Sequence, residues 1–211
     1  MSNTENKTLT ISSIRRIHGR AVLTLSNGEI ITMPRAMLRE RPYKTGMPFD
    51  HEAFDTFIRE RSYAFALEKA IAQLAVRART EKEIVDCLHN NAYPENTIAK
   101  VMARLHDAGY INDAQFAEQW TSSRTTKGLG TRRIRMELHR KGINPQQIDQ
   151  ALESIDEGIL MDSALKAAQK ALRGKDISSP TDRQKIIAAL ARRGYDFSLA
   201  KRALQMLIES E

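Results

Sequence analysis

The sequence predicts a mainly α-helical protein, an elongated array of three tandem three-helix repeats that follows a small N-terminal β-unit. Three observations support this fold class. Helical periodicity runs from about residue 50 to the end of the 211-residue chain. One apolar pattern occurs three times within that part, and short alternating apolar runs fill the residues before it.

The N-terminal residues predict a tail and three strands. Residues 1–7 are polar and predict a disordered tail. The runs LTISSIRRI, AVLTLSN and GEIITM predict a three-stranded β-unit within residues 8–48. Asn27-Gly28 separates the last two runs and favours a two-residue hairpin turn, because both residues tolerate positive φ. Three strands alone are marginally stable, so we expect the unit to pack against the helix that follows.

The helical part contains a repeat that can be followed by register. Ile84, Ile134 and Ile186 begin equivalent sets, which places the copies 50 and then 52 residues apart. Each set describes two helices joined by a short turn, and another helix precedes each set, in residues 64–76, 113–124 and 159–173. The complete sets are Ile84, Leu88, Ala92, Ile98, Val101 and Leu105; Ile134, Leu138, Gly142, Ile148, Ala151 and Ile155; and Ile186, Leu190, Gly194, Ala200, Ala203 and Leu207.

These sets define the domains. We expect a linking helix and the first repeat in residues 49–112, the second repeat in 113–157 and the third in 158–211. A single repeat cannot bury its apolar stripe, so the copies are expected to stack.

The turns inside the repeats carry residues suited to a helix C-terminus. Gly142 and Gly194 stand where positive φ is required, and in the first copy Ala92 replaces glycine, so Asn91 is expected to serve there. Tyr110 and Tyr195 each follow a glycine and are expected to wedge the turns.

Composition indicates a basic cytoplasmic protein. The net charge is +7 and the isoelectric point about 9.6, which favours polyanionic partners, nucleic acid first. Cys87 is the single cysteine, so no internal disulfide is possible. No secretory signal and no apolar run of membrane-spanning length is present in the sequence.

Catalytic motifs are absent from the sequence. It has no Gly-rich phosphate loop, no dinucleotide fingerprint and no nucleophile elbow. Cys87 and His89 are the only pair with soft-ligand spacing, and no second pair supports a zinc site. We therefore expect no enzyme activity, no cofactor and no metal.

Basic residues are concentrated in the second and third repeats. Residues 80–91 are mainly acidic, whereas the equivalent residues 131–142 and 181–193 are mainly basic, although the apolar skeleton is the same. Packing does not require this inversion, so we expect a polyanion-binding surface on repeats two and three. Its predicted residues are Lys127, Arg132, Arg133, Arg135, Arg140, Lys141, Lys185, Arg192, Arg193 and Arg202.

The helix after residue 130 is the centre of this surface. Thr131 is the expected N-cap and Met136 is expected to point away from the buried stripe. Arg133 can pair with Glu137 at i, i+4, and Lys141 is expected to extend along the stripe to water. The glycines before the helix either shape the loop, the favoured interpretation for the loop alone, or leave N–H groups open for a phosphate.

Aromatic residues give little support for base-specific recognition. Phe116 and Trp120 stand at i, i+4 on a helix, a spacing more typical of core packing than of a base-stacking platform. Contacts to a nucleic-acid backbone are therefore favoured over base readout.

Several motifs resemble those of the RecX family of recombination regulators. RARTEKEI at 77–84 resembles the family's R-x-R-S-x-x-E-L, with Thr80 in place of serine. LHDAGYINDAQFA at 105–117 resembles its L-x-x-x-G-y-l-x-D-x-x-F-A. GTRRIRMEL at 130–138, followed by KGI at 141–143, is similar to its G-x-x-x-I-x-x-E-L-x-x-K-G-I, and RGY at 193–195 to its final R-G-[FY]. The motifs occur in order over residues 66–208, and the β-unit resembles the extension of longer members.

The resemblance implies a monomeric regulator of DNA repair and the SOS response. Members bind the groove of the RecA–DNA filament, lower its ATPase and strand-exchange activities, and bind single- and double-stranded DNA. Two other interpretations stay open: a sequence-specific DNA-binding transcription regulator and an interaction scaffold without nucleic acid. Inhibition, capping and disassembly of the filament are equally compatible with the sequence.

Overall fold

The structure is a computed structural model that describes residues 9–209, so the predicted tail of residues 1–7 lies outside the described residues. Two compact units are present, one ending at Ile111 and the other starting at Asn112. Within residues 9–209 the elements are β1 (Ile11–Ile17), β2 (Arg20–Leu25), β3 (Ile30–Pro34), a 3-10 helix (Arg35–Arg39), α1 (His51–Val76), α2 (Glu81–Asn90), α3 (Glu95–Asp107), α4 (Asp113–Thr126), α5 (Thr131–Arg140), α6 (Pro145–Glu153), α7 (Glu157–Leu172), α8 (Pro180–Arg192) and α9 (Phe197–Glu209). This confirms a mainly α-helical fold with a three-stranded N-terminal sheet.

The three strands form one antiparallel sheet in the order β1-β2-β3. The predicted hairpin between β2 and β3 is present, but three residues connect the paired Leu25 and Glu29 rather than two. Only Gly28 adopts positive φ, at 87°. Asn27 keeps an ordinary conformation because its side-chain oxygen accepts a hydrogen bond from the Glu29 N–H at 3.0 Å.

The sheet packs against the first helices and shares one core with them. Leu23 and Leu25 of β2 are buried together with Phe49 and Phe54, which flank the start of α1. The expected packing of the β-unit on the following helix is confirmed. That helix, α1, is a single helix of 26 residues, and the Asp50 side chain caps it by accepting from the Ala53 N–H at 3.0 Å.

Three three-helix repeats follow, as predicted. The first consists of the C-terminal part of α1 with α2 and α3, the second of α4 to α6, and the third of α7 to α9. The two apolar residues that define the middle helix of each repeat are completely buried, at 0% exposure: Ile84 and Leu88, Ile134 and Leu138, and Ile186 and Leu190. The second and third repeats each have a hydrophobic cluster of their own.

The turn after each middle helix has the same left-handed residue. Its φ is 62° at Ala92, 83° at Gly142 and 92° at Gly194. The prediction that Asn91 would take this conformation is wrong, because its side chain donates to the Cys87 carbonyl at 2.7 Å and its φ is −96°. Ala92 therefore carries the strain.

The two turn tyrosines differ. Tyr195 is buried at 1% exposure and wedges its turn as expected, whereas Tyr110 is 60% exposed, so that prediction was wrong for Tyr110.

Candidate polyanion-binding surface

The N-terminus of α5 is joined to the third repeat by backbone hydrogen bonds. Its N-cap is Gly130, not the predicted Thr131, and no side chain caps it. The Arg132 N–H donates to the Gly194 carbonyl, and the Gly130 N–H donates to the Arg193 carbonyl, both at 3.0 Å. A Cβ on Gly130 would lie 2.3 Å from the Tyr195 nitrogen. Glycine is therefore needed for backbone-to-backbone packing, and these two N–H groups are not open to a phosphate.

The outward face of α5 is basic, as the helical geometry predicts. Ile134 and Leu138 face the core, while Arg132, Met136 and Arg140 are exposed on the opposite side. Arg135 and His139 flank them and are exposed as well. This helix has no acidic residue in its first turn, so no carboxylate there offsets the charge of its arginines.

Part of the predicted charge is neutralised inside the repeat. Glu137 is half-buried and accepts from Arg124 at 2.8 Å and from the Trp120 indole at 3.1 Å. The predicted i, i+4 pair is also present, with Arg133 at 3.5 Å from Glu137. Two arginines thus share one carboxylate, and Arg133 belongs partly to the structure of the repeat.

Lys141 lies over an aromatic pair. Phe116 and Trp120 stack with ring centroids 5.6 Å apart, and the Lys141 ammonium lies 4.4 Å from the Trp120 centroid. Arg124 covers the same indole at 4.0 Å. Cation–π contacts of this kind stabilise packing, so the aromatic pair forms part of the core, as its spacing predicts, and is not a base-stacking platform.

Three further predicted residues form exposed ion pairs. Arg135 pairs with Asp149, Lys185 with Asp182 at 2.7 Å, and Arg202 with Glu157 at 2.8 Å. The hydrogen bond from Lys185 holds the pKa of Asp182 below its usual value. Exposed pairs contribute only about 0–1 kcal/mol, so an incoming polyanion can compete for these cations.

Four predicted residues are exposed and have no ion-pair partner within residues 9–209. They are Lys127, Arg132, Arg140 and Arg192. Arg192 occupies in α8 the register position that Arg140 occupies in α5. The other outward positions of α8 are Gln184, Ala188 and Ala191, so the third repeat contributes less charge through its middle helix than the second repeat does.

The last predicted residue, Arg193, lies at the junction of repeats two and three. Its guanidinium donates to the Gly128 carbonyl at 3.2 Å. A hollow of about 170 Å³ lies beside it, and Lys127, Lys166 and Lys170 also line this hollow. Sequence reasoning missed Lys166 and Lys170. Their i, i+4 spacing on an exposed face of α7 is the signal that would have identified them.

Other site classes have no structural support in residues 9–209. No group of three or more histidine, cysteine or acidic side chains is placed to hold a metal ion. No helix in this part of the chain has the length and apolar character to cross a bilayer.

These features define a class of protein built from tandem three-helix units with a cationic surface and, within residues 9–209, no cluster of potential metal ligands. Family models identify the class more closely. The first, second and third three-helix domains of RecX match residues 66–105, 112–152 and 159–204 respectively. Together these models match more than half of the chain, which therefore belongs to the RecX family of regulatory proteins.

Individual relatives agree with this assignment. Regulatory protein RecX of Mycolicibacterium smegmatis is 31% identical over 185 residues, covering 83% of this chain and 97% of the relative. That of Amycolatopsis mediterranei is 35% identical over 143 residues, covering 67% and 82% respectively. A crystal structure of regulatory protein RecX matches with a TM-score of 0.63 and 23% identity over 92% of this chain and 97% of the other. The crystal structure of RecX from Lactobacillus salivarius matches with a TM-score of 0.65 and 23% identity, and the match covers 69% of this chain and 96% of the other. At that identity the two structures support the fold alone.

Proposed function

We propose that this protein regulates homologous recombination and DNA repair by binding the RecA–DNA filament in its groove, with accessory contacts to single- and double-stranded DNA. Membership of the RecX family supports RecA as the partner. In this proposal the protein is not an enzyme. It inhibits the ATPase and strand-exchange activities of RecA by occupying the filament.

The unpaired cations of α5 and α8 are the observation that carries the proposal. Arg132, Arg140 and Arg192 are exposed and have no ion-pair partner among the described residues. In the equivalent helix of the first repeat, Lys82 is paired with Asp86. The buried skeleton is the same in the three helices, so folding does not account for the excess of positive charge. A polyanionic partner does account for it, because phosphates and acidic protein surface supply the missing counter-charge.

Regulation follows from occupancy. A protein that lies across several protomers of a filament resists the movements and the subunit addition that ATP hydrolysis and strand exchange require. Because the contacts are mainly electrostatic, inhibition is expected to weaken as salt concentration rises.

The test is a triple substitution, Arg132→Ala, Arg140→Ala and Arg192→Ala. All three side chains are exposed, so the variant should fold normally. The protein concentration needed to inhibit the DNA-dependent ATPase of RecA to the same extent should rise about tenfold. The matched control is Lys44→Ala, Lys100→Ala and Arg104→Ala, which removes the same charge from exposed positions of the first unit. Equal inhibition by the triple variant and the control would contradict the proposed surface.

A second experiment separates the proposal from its rivals. Association is measured with DNA alone, RecA alone and the assembled filament over a range of salt concentrations. Preference for the filament supports the proposal. Preference for one duplex sequence would instead support a transcription regulator, and binding insensitive to salt would support a scaffold without nucleic acid.

A further inference from the structure

The hollow between repeats two and three is lined by cations and by no carboxylate. Its cationic residues, called here the junction cluster, are Lys127, Lys166, Lys170 and Arg193. Lys127 follows the last residue of α4, the two other lysines are one turn apart on α7, and Arg193 follows the last residue of α8. Three helices from two repeats therefore bring four positive charges to one concave site of about 170 Å³.

Hydrogen bonds hold the walls of this hollow in place. Ser163 donates to the Thr125 carbonyl at 2.6 Å and its hydroxyl lies 2.8 Å from the Tyr195 hydroxyl. All three residues are buried, and burial raises the pKa of Tyr195, so its phenol remains protonated and available for this bond. The network ties the end of α4, the middle of α7 and the turn after α8 together.

Arg193 is fixed from both its backbone and its side chain. Its carbonyl accepts from the Gly130 N–H at 3.0 Å, and its guanidinium donates to the Gly128 carbonyl at 3.2 Å. One carbonyl acceptor leaves several of its five N–H donors available. The arginine is thus held in position before any ligand arrives, which reduces the entropy lost on binding.

The three lysines have no counter-charge of their own. None forms an ion pair within residues 9–209, and Lys166 and Lys170 stand at i, i+4, a spacing at which like charges destabilise a helix. Asp162 lies one turn before Lys166, but it makes no ion pair with this lysine and does not line the hollow. Four like charges held together without an internal partner fit an external anion.

We propose that the junction cluster binds a phosphodiester group of a nucleic-acid strand. This inference deepens the proposed function, because it gives the DNA component of the filament a site of its own, separate from the outward face of α5. The chemistry fits a backbone phosphate: the site is small, offers charged N–H donors and has no aromatic lining that would stack a base. The protein therefore contacts the strand at this site without reading its sequence.

The test is Lys166→Gln with Lys170→Gln, assayed against a fluorescent oligothymidylate in the absence of RecA. Both side chains are exposed, so the fold should be retained, and Trp120 fluorescence checks this. Because the cluster holds one phosphodiester group, loss of this contact should reduce the magnitude of the slope of log K against log salt by about 0.7, the value for one phosphate contact in a single strand. The matched control is Lys44→Gln with Lys100→Gln, which removes two exposed lysines of the first unit and should leave the slope nearly unchanged.

The outcomes are distinct. A smaller salt slope in the junction variant but not in the control supports the site. It is also supported if the two variants have the same slope on an oligonucleotide with uncharged methylphosphonate linkages. An unchanged slope, or equal changes in junction variant and control, overturns it. Because RecA is absent, failure here leaves the filament proposal standing. Failure of the triple variant of Arg132, Arg140 and Arg192 to affect the RecA ATPase leaves the junction cluster standing.

Discussion

The helices α2 and α5 have the same inner surface and opposite outer surfaces. Ile84 and Leu88 in α2 occupy the positions of Ile134 and Leu138 in α5, and all four are completely buried. On the outside, α2 begins with an acidic first turn and a Thr80/Glu83 capping box, whereas α5 has no acidic residue in its first turn and no side-chain cap.

The difference shows that packing constrains only the inner stripe. At the start of α2 the Thr80 side chain accepts from the Glu83 N–H, whereas at the start of α5 the Gly194 carbonyl accepts from the Arg132 N–H. Because the third repeat satisfies that N–H of α5, its first turn is not required to supply acidic residues and can carry arginines. The cationic surface is thus compatible with stability because of how the second and third repeats pack.

The largest effect should come from the shared inner stripe. Leu88→Ala and Leu138→Ala should each lower the free energy of unfolding by about 2–5 kcal/mol, because each removes a completely buried side chain and leaves a cavity. Urea unfolding followed by circular dichroism measures both variants, and fluorescence of the single tryptophan reports on the second unit. A loss below about 1 kcal/mol in either variant would contradict an equivalent role for the two residues.

The next effect should distinguish the two glycine turns. Gly142 is exposed, so Gly142→Ala should cost about 1 kcal/mol from its positive φ alone. A Cβ on Gly194 would lie 2.4 Å from the Arg133 nitrogen, so Gly194→Ala should cost about 2–4 kcal/mol. The same unfolding assay compares them. Similar losses would show that the close approach of repeats two and three contributes little.

The sequence predicts the elements that depend on periodicity. The apolar steps place the middle helices and their buried residues correctly, and the i, i+4 rule identifies the pair between Arg133 and Glu137. Contacts between repeats could not be predicted in the same way. The Gly194 carbonyl that accepts from the Arg132 N–H lies 62 positions further along the chain (194 − 132), and no local pattern connects the two residues.

The sequence predicted Lys127 and Arg193 as binding residues but, for the same reason, did not place them beside Lys166 and Lys170. Lys127, Lys166 and Arg193 come from three helices, and only the folded chain brings them together around one hollow. The turn at Ala92 shows a different limit: asparagine tolerates positive φ better than alanine does, yet Asn91 is engaged by the Cys87 carbonyl. The preference of asparagine for positive φ favoured Asn91, but the hydrogen bond of its side chain leaves the strained conformation to Ala92.

A smaller effect, a gain in stability, is expected at the turn that follows α2. Ala92→Gly should raise the free energy of unfolding by about 0.5–1 kcal/mol, because glycine adopts a φ of 62° without the steric cost that alanine has there. The first repeat would then have glycine at this position, as the other two repeats do. Thermal unfolding measures the change, with Ala99→Gly in the exposed middle of α3 as a control that should be destabilising. A loss of stability in Ala92→Gly would mean that Ala92 is not strained.

The smallest change in the free energy of unfolding near neutral pH is expected from replacing Tyr93, the residue that follows this turn. Tyr93 corresponds to Ile143 and Tyr195 in the other repeats. Burial raises the pKa of Tyr93 from about 10 to about 12. Between these values the unfolded chain releases a proton that the folded chain keeps, so stability should fall as pH rises from about 10 to about 12, by at most about 1.4 kcal/mol per pH unit. Tyr93→Phe should make this fall shallower, whereas Tyr110→Phe, which changes an exposed phenol, is the matched control. Unfolding free energies measured from pH 9 to about 11.5 test this, and parallel profiles for Tyr93→Phe and the unmodified protein would contradict a buried neutral phenol at this position.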